Sequence, residues 1–298
     1  MKKLIKLWHY LINSIIYFFW SDTIVVSAHV NVKYGKIVHT NWGDDLNVYL
    51  IEQMTGKRVV IANKSLYHII TKSPNFVCIG SILGWVGNRN STIWGAGFMD
   101  GTHAYIHEQF PKTIASVRGK LSYNILVENG LTCSPVWGDP ALLISKYYHP
   151  SRKIRYRMGI VPHIIDKENQ MIKEFVANHD DVILIDLANY DRWTDVVDEI
   201  MKCEFVISSS LHGLIAADSY AISNAWVSFS NDILGGTFKY LDYFSSIGRS
   251  THLPIAVREA NSLIKIYEDG IVAENVTIDY KGIIDTCPFK NFLKSPIA

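Results

Sequence analysis

Short apolar runs that alternate with amphipathic helical patterns along nearly the whole chain constrain this protein more than any other feature. In the first half, strand-like runs fall at Thr23–Val30, Asn75–Ile79, Ser91–Trp94 and Thr113–Val117, with helical patterns at Asp44–Met54 and Gly119–Glu128. In the second half, strands read as Tyr156–Val161, Val182–Asp186, Phe205–Ser208 and Ala225–Phe229. The helices between and after them read as Lys167–Ala177, Trp193–Cys203, Leu211–Tyr220 and Phe238–Ile247. Such alternation builds parallel sheets covered by helices on both faces. The 298 residues are roughly twice a usual domain, which predicts two doubly wound α/β domains facing a cleft. Their expected bounds are 21–150 and 151–298, with a C-terminal helix crossing back. The junction falls in the stretch Tyr147–Lys153, where Pro150 and charge replace apolar periodicity. Ligands of such sheets sit at the carboxyl ends of strands, in the turns leading into helices.

Residues 1–20 form a separate segment. Leu4, Ile5, Trp8, Leu11, Ile12, Ile15, Ile16 and Phe19 recur at helical spacing, with Lys3, Lys6, Tyr10, Asn13, Ser14 and Tyr17 on the other side. One amphipathic helix accounts for this pattern. It is too short and too polar on one side to span a bilayer, and no small-residue cleavage site follows it. Two placements are open: lying on an anionic membrane through Lys2, Lys3, Lys6 and its aromatic residues, or docking on the protein's own core.

Net charge narrows the function. Lys and Arg number 29 and Asp and Glu 28, so the chain lacks the basic excess of a non-specific nucleic-acid binder. Cys78, Cys133, Cys203 and Cys287 have no metal-ligand spacing, and reduced thiols in a cytoplasmic protein are expected. No P-loop, HExxH or GxSxG occurs, and no metal site is expected.

The informative residues cluster at strand-to-helix turns. Asn41-Trp42-Gly43-Asp44-Asp45 opens a helix, as an ordinary cap or as an anion and hydroxyl site. Gly95 and Gly97 make a tight turn after a strand, without the third glycine of a dinucleotide fingerprint. Arg118 stands at a strand end before a helix, where its planar fork suits a carboxylate or phosphate, or a plain salt bridge. His163 ends a strand, and Ser208-Ser209-Ser210-Leu211-His212-Gly213 ends another and starts a helix. The positive helix end biases His212 towards the neutral imidazole, fit to act as a base or to donate one N–H. These residues describe a two-domain cleft enzyme acting on a small anionic ligand.

Asn41–Asp44, Gly95-Ala96-Gly97, Ser116–Gly119, Gly138-Asp139-Pro140, Gly159–His163 and Ser209–Gly213 occur in this order. Together they resemble the polysaccharide pyruvyl transferase family over about residues 41–230. The resemblance implies a glycosyltransferase-B-like fold of two Rossmann-like halves. It also implies transfer of the enolpyruvyl unit of phosphoenolpyruvate to a sugar as a cyclic ketal, on a lipid-linked surface polysaccharide such as a capsule or exopolysaccharide. By the same resemblance, Arg118 contacts the donor and His212 is the general acid or base, with His163 beside it. Ser209, Ser210, Gly213, Gly95 and Gly97 line the donor, and Asn41, Gly43 and Asp44 line donor or acceptor. Some members have Arg where this chain has Ser210, so a second cation must come from Arg89, Lys120, Lys239 or Arg249. The scheme requires no cofactor beyond the co-substrate phosphoenolpyruvate. It implies a cytoplasmic protein working peripherally on the inner membrane face. A nucleotide-sugar glycosyltransferase of the same fold is the alternative enzyme, and a non-catalytic glycan-binding protein the alternative class.

Overall fold

Two five-stranded sheets, parallel throughout, carry the chain. The computed structural model describes residues 2–102, 110–111 and 113–296. In the first half α1 (Lys2–Phe18) leads to β1 (Thr23–Val26), a small antiparallel hairpin of β2 (Val32–Lys33) and β3 (Lys36–Ile37), and α2 (Trp42–Thr55). Then follow β4 (Arg58–Ile61), α3 (Leu66–Thr71), β5 (Asn75–Val77), β6 (Ser91–Trp94), β7 (Thr113–Ser116), α4 (Lys120–Glu128) and α5 (Ile144–Tyr147). The second half runs through β8 (Tyr156–Val161), α6 (Gln170–Ala177), β9 (Val182–Leu184), α7 (Trp193–Met201), β10 (Cys203–Ser208) and α8 (Leu211–Ser219). It continues with β11 (Ser223–Ser228), α9 (Phe238–Ile247), β12 (Ile255–Ala256), α10 (Ala260–Asp269) and α11 (Tyr280–Asp285).

The sheet orders are β4-β1-β5-β6-β7 and β12-β11-β10-β8-β9. Counted within each sheet, both follow the doubly wound pattern 2-1-3-4-5, with one point where the winding reverses. That switch lies between β1 and β5 in the first sheet and between β8 and β10 in the second. The central strands β8 and β10 are nearly continuous apolar runs because helices cover both of their faces. Helix α8 is buried at all nine positions, so it has no solvent-facing polar side, and its Asp218 is held inside by Tyr243 and Asn224.

The expected strand at Thr23–Val30 ends at Val26, and the structure adds β4, α3 and α10, which the periodicity had not marked. The two halves are joined tightly: one apolar cluster runs from Val26, Leu50 and Leu142 to Val161, Val197 and Ile215. The end of the chain returns to the first half. Trp94 donates its indole N–H to Ile283 O (2.9 Å), Phe289 packs edge-on against Trp94, and Lys294 N–H reaches Met54 O (2.7 Å). All four cysteines are free.

Helix α1 turns Asn13, Tyr17 and Ile16 towards the body and leaves Leu4, Trp8, Leu11 and Phe19 exposed. No helix among the described residues is long and apolar enough to cross a membrane.

Candidate active site

The switch point of the second sheet holds both histidines. Strand β8 ends at Val161, and His163 follows. Strand β10 ends at Ser208, and His212 is the second residue of α8. Ser209 ties the two turns together: its hydroxyl accepts from His163 N–H (2.8 Å) and donates to Asp166 (3.2 Å), while its carbonyl accepts from Tyr240 Oη (2.6 Å). Ser210 caps α8 by backbone position only. Its N–H is held by Ser208 Oγ at 3.0 Å. Gly213 lets α8 sit against β10 and β8, since a Cβ there would fall 2.4 Å from Ser208 Oγ.

The first half supplies the opposite wall. Asn41 caps α2, accepting from Gly43 N–H (3.2 Å) and donating to Asp44 Oδ2 (2.9 Å). Asp44 also meets His29 Nδ1 at 3.2 Å, and that hydrogen bond raises the His29 pKa. The start of α2 is fastened across the halves: Trp42 N–H and its indole N–H donate to Leu187 O and Trp193 O, both at 2.7 Å, and Tyr190 Oη donates to Asp45 Oδ2 (2.6 Å). A Cβ on Gly43 would stand 1.9 Å from His212 Nδ1. The motif glycine is therefore required by the close approach of the imidazole.

His212 is 7% exposed, and its Nε2 is buried with no hydrogen-bond partner. Burial lowers its pKa to about 4. Arg118 and Lys239 push the same way, and Asp44 opposes them. His163, half-buried, is likewise lowered to about 4 by burial and by Lys239. Both imidazoles are neutral at pH 7.

Lys239, in the first turn of α9, is 6% exposed. Among the described residues its ammonium has neither ion pair nor hydrogen bond, only the Tyr240 ring 5.4 Å away. Burial and the nearby Arg118 lower its pKa to about 8. The other cations named from sequence lie elsewhere. Arg89 and Lys120 are exposed, and Lys120 stands over Trp137. Arg249 is held by Glu274 (2.9 Å) and by the Asn224 side chain (2.7 Å).

Arg118 is fully buried and already engaged. Its Nε (3.0 Å) and Nη2 (2.9 Å) meet Asp242 Oδ2, Nη2 also donates to Phe98 O (2.7 Å), and Nη1 donates to Ser81 Oγ (2.5 Å). Asp242 lies on α9 and accepts from Ser122 N–H (2.8 Å) and Ser122 Oγ (2.7 Å). The pair thus clamps α9, and Lys239 with it, onto the start of α4. Gly97 makes room for the guanidinium, since its Cβ would fall 2.5 Å from Cζ. Gly95, with φ +81°, packs against Pro140 on the far side of that turn. The site thus gathers His212, His163, Asn41, Gly43, Asp44 and Lys239, with Arg118 behind them and Gly95 apart. Asp242 and His29 were not marked by the sequence, because nothing local to them signals a partner more than a hundred residues away or across a turn.

Two neutral imidazoles and a buried lysine without an ion pair stand together at the switch point of a doubly wound α/β sheet, the place where such folds bind their ligands. The chain belongs to the polysaccharide pyruvyl transferase family, whose model matches residues 36–231. It is similar to the uncharacterized protein L143 of Acanthamoeba polyphaga mimivirus, at 29% identity over 70% of this chain and 71% of that protein. It is also similar to the succinoglycan biosynthesis protein ExoV of Rhizobium meliloti (strain 1021), at 28% identity over 78% of this chain and 70% of that protein. No solved structure matches the chain.

Proposed function

We propose that the protein transfers the pyruvyl unit of phosphoenolpyruvate onto two hydroxyls of one sugar, as a cyclic ketal. The acceptor is a lipid-linked repeat unit of a surface polysaccharide, capsule or exopolysaccharide, met on the cytoplasmic side of a membrane by a glycosyltransferase-B-like pair of domains. The observation that carries the reading is Lys239. A buried ammonium that makes no ion pair and feels only the more distant carboxylate of Asp44 is costly. It is offset when a carboxylate or phosphate arrives, and phosphoenolpyruvate carries both.

In this reading Lys239 holds the phosphate, with the first amides of α8 at its positive end. Arg118 offers Nη1, whose partner Ser81 is a neutral hydroxyl and so yields to a donor carboxylate. The arriving anion raises the pKa of His212 and lets it carry a proton to the methylene carbon. C2 becomes electrophilic, a first sugar hydroxyl attacks it, and the C2–O bond to phosphate breaks, releasing inorganic phosphate. A second hydroxyl of the same sugar closes the ketal. Of the two hydroxyl protons, one replaces the proton delivered to carbon and the other leaves with phosphate or solvent. His163 serves the second hydroxyl, and Asn41 and Asp44 orient the sugar.

The test incubates the protein with phosphoenolpyruvate and a lipid-linked glycan, reading phosphate release and the mass of the glycan. A pyruvyl ketal with one phosphate per transfer is expected. Thermal stabilisation by a nucleotide sugar and not by phosphoenolpyruvate would move the protein to the glycosyltransferases instead.

A further inference from the structure

Helix α1 is fastened by polar groups and presents its apolar side chains outward. Asn13 is fully buried, donating to Lys64 O (2.9 Å) and accepting from Gly35 N–H (2.9 Å). The Ser14 hydroxyl lies 3.0 Å from Ser65 Oγ and accepts from Tyr67 N–H (3.0 Å). On the opposite side Leu4 is 72%, Phe18 83% and Phe19 78% exposed, Trp8 and Leu11 are exposed between them, and α3 adds Ile70. Two open apolar hollows, of about 500 and 580 Å³, run along this face.

Charge tells what covers it. Helix α1 contains no acidic residue, and Lys3 and Lys6 are exposed near its N-terminal end. Cations there oppose the helix dipole, so they weaken the isolated helix. The hairpin docked on α1 through Gly35 and Ile16 adds the exposed Lys33 and Lys36. A second copy of this face would meet the lysines with a helix that has no acidic residue to pair with them, whereas an anionic lipid surface neutralises them. We infer that the α1–α3 face is a docking surface for an anionic bilayer, with α1 lying in the headgroup plane.

The placement fits a site that meets its acceptor at the membrane. The residues fastening α1, Lys64 and Ser65, follow the carboxyl end of β4. Their neighbour Asn63 bonds Ala28, one residue before His29 at the site. The inference goes beyond the catalytic reading and does not depend on it.

The test mixes the full chain, without donor or acceptor, with vesicles of phosphatidylcholine alone or with phosphatidylglycerol, and reads binding by flotation. Binding to the phosphatidylglycerol vesicles that weakens with salt is expected. Lys3→Gln with Lys6→Gln should weaken it about thirtyfold at low salt. Leu4→Ser, Trp8→Ser and Phe19→Ser together should abolish it while the melting temperature holds, since all three side chains are exposed. No binding by the unmodified protein, or full binding by the triple variant, overturns the inference. A dimer lost in the triple variant, with no vesicle binding, assigns the face to a second copy.

Discussion

The imidazole of His212 rests on the backbone of Gly43, close enough that any Cβ at position 43 would overlap its ring. A helix start from one sheet thereby meets a helix start from the other, with Asp44 on one side and Lys239 on the other acting on the charge of the same ring. Nothing but glycine fits between them.

Replacing Gly43 with alanine should displace the His212 ring while α2 keeps its cap at Asn41. We expect turnover to fall by about 10²–10⁴-fold, the range for loss of a general acid or base. Steady-state kinetics check it, and full activity in Gly43→Ala would remove His212 from the reaction.

Acid should unfold the protein partly through its histidines. The folded pKa of His212, about 4, lies below the unfolded value near 6.5. Its stabilising contribution is therefore complete above about pH 6.5 and is lost as pH falls towards 4, because the unfolded chain binds the proton first. Asp139, which burial raises to about 7, works in the opposite sense, so the readout is a difference. Melting temperature should fall less steeply between pH 6.5 and 4 in His212→Gln than in the unmodified protein.

Lys239→Met should separate stability from donor binding. At pH 7 the buried ammonium costs the fold, so the variant should melt at the same or a higher temperature. Phosphoenolpyruvate should stabilise the unmodified protein and have little effect on the variant. Calorimetry with and without donor reads both, and equal stabilisation of the two proteins would exclude Lys239 from the phosphate.

Breaking the Arg118–Asp242 pair from either side leaves a buried charge without its partner. Arg118→Met and Asp242→Asn should each cost about 3–5 kcal/mol, and the double variant less than their sum. Denaturant unfolding measures the cycle. Additive losses would show that the two side chains act independently.

Run in heavy water, the reaction should place deuterium in the ketal methyl, because the proton reaching the methylene carbon comes from a side chain that exchanges with solvent. Mass analysis of the product decides it. A methyl without deuterium rejects this route for the proton.

Much of this was legible in the sequence where the signal was local. The turn at Ser208–Gly213 could be read because a strand, a small-residue turn and a helix start follow one another within a few residues, Asn41–Asp44 because a cap residue opens a helix, and Val161–His163 because an apolar strand stops at Pro162. Strand β4 escaped notice because Arg58–Ile61 is four residues long and buried without alternation. The choice of Lys239 over Arg89, Lys120 and Arg249 depends on burial and on who holds each cation, which are properties of the folded chain. For Arg118 a ligand-binding fork and a salt bridge could not be told apart, because Asp242 stands 124 residues away. For α1 the stripe was plain, but which side faces the body was decided by the carbonyl of Lys64 and the amide of Gly35, partners that no helical periodicity reveals.

The return of the chain's last segment to the first sheet means that a boundary in sequence is not a boundary in space. A fragment ending near residue 150 would lack Ile283, whose side chain lies against Gly138, and Phe289, which covers Trp94. The complementary fragment would carry both as exposed apolar residues without a surface to rest on. Neither piece is a self-sufficient module. Grafting the second half onto another first half would therefore require the tail from Tyr280 onward to travel with the half it covers, and not with the half it follows.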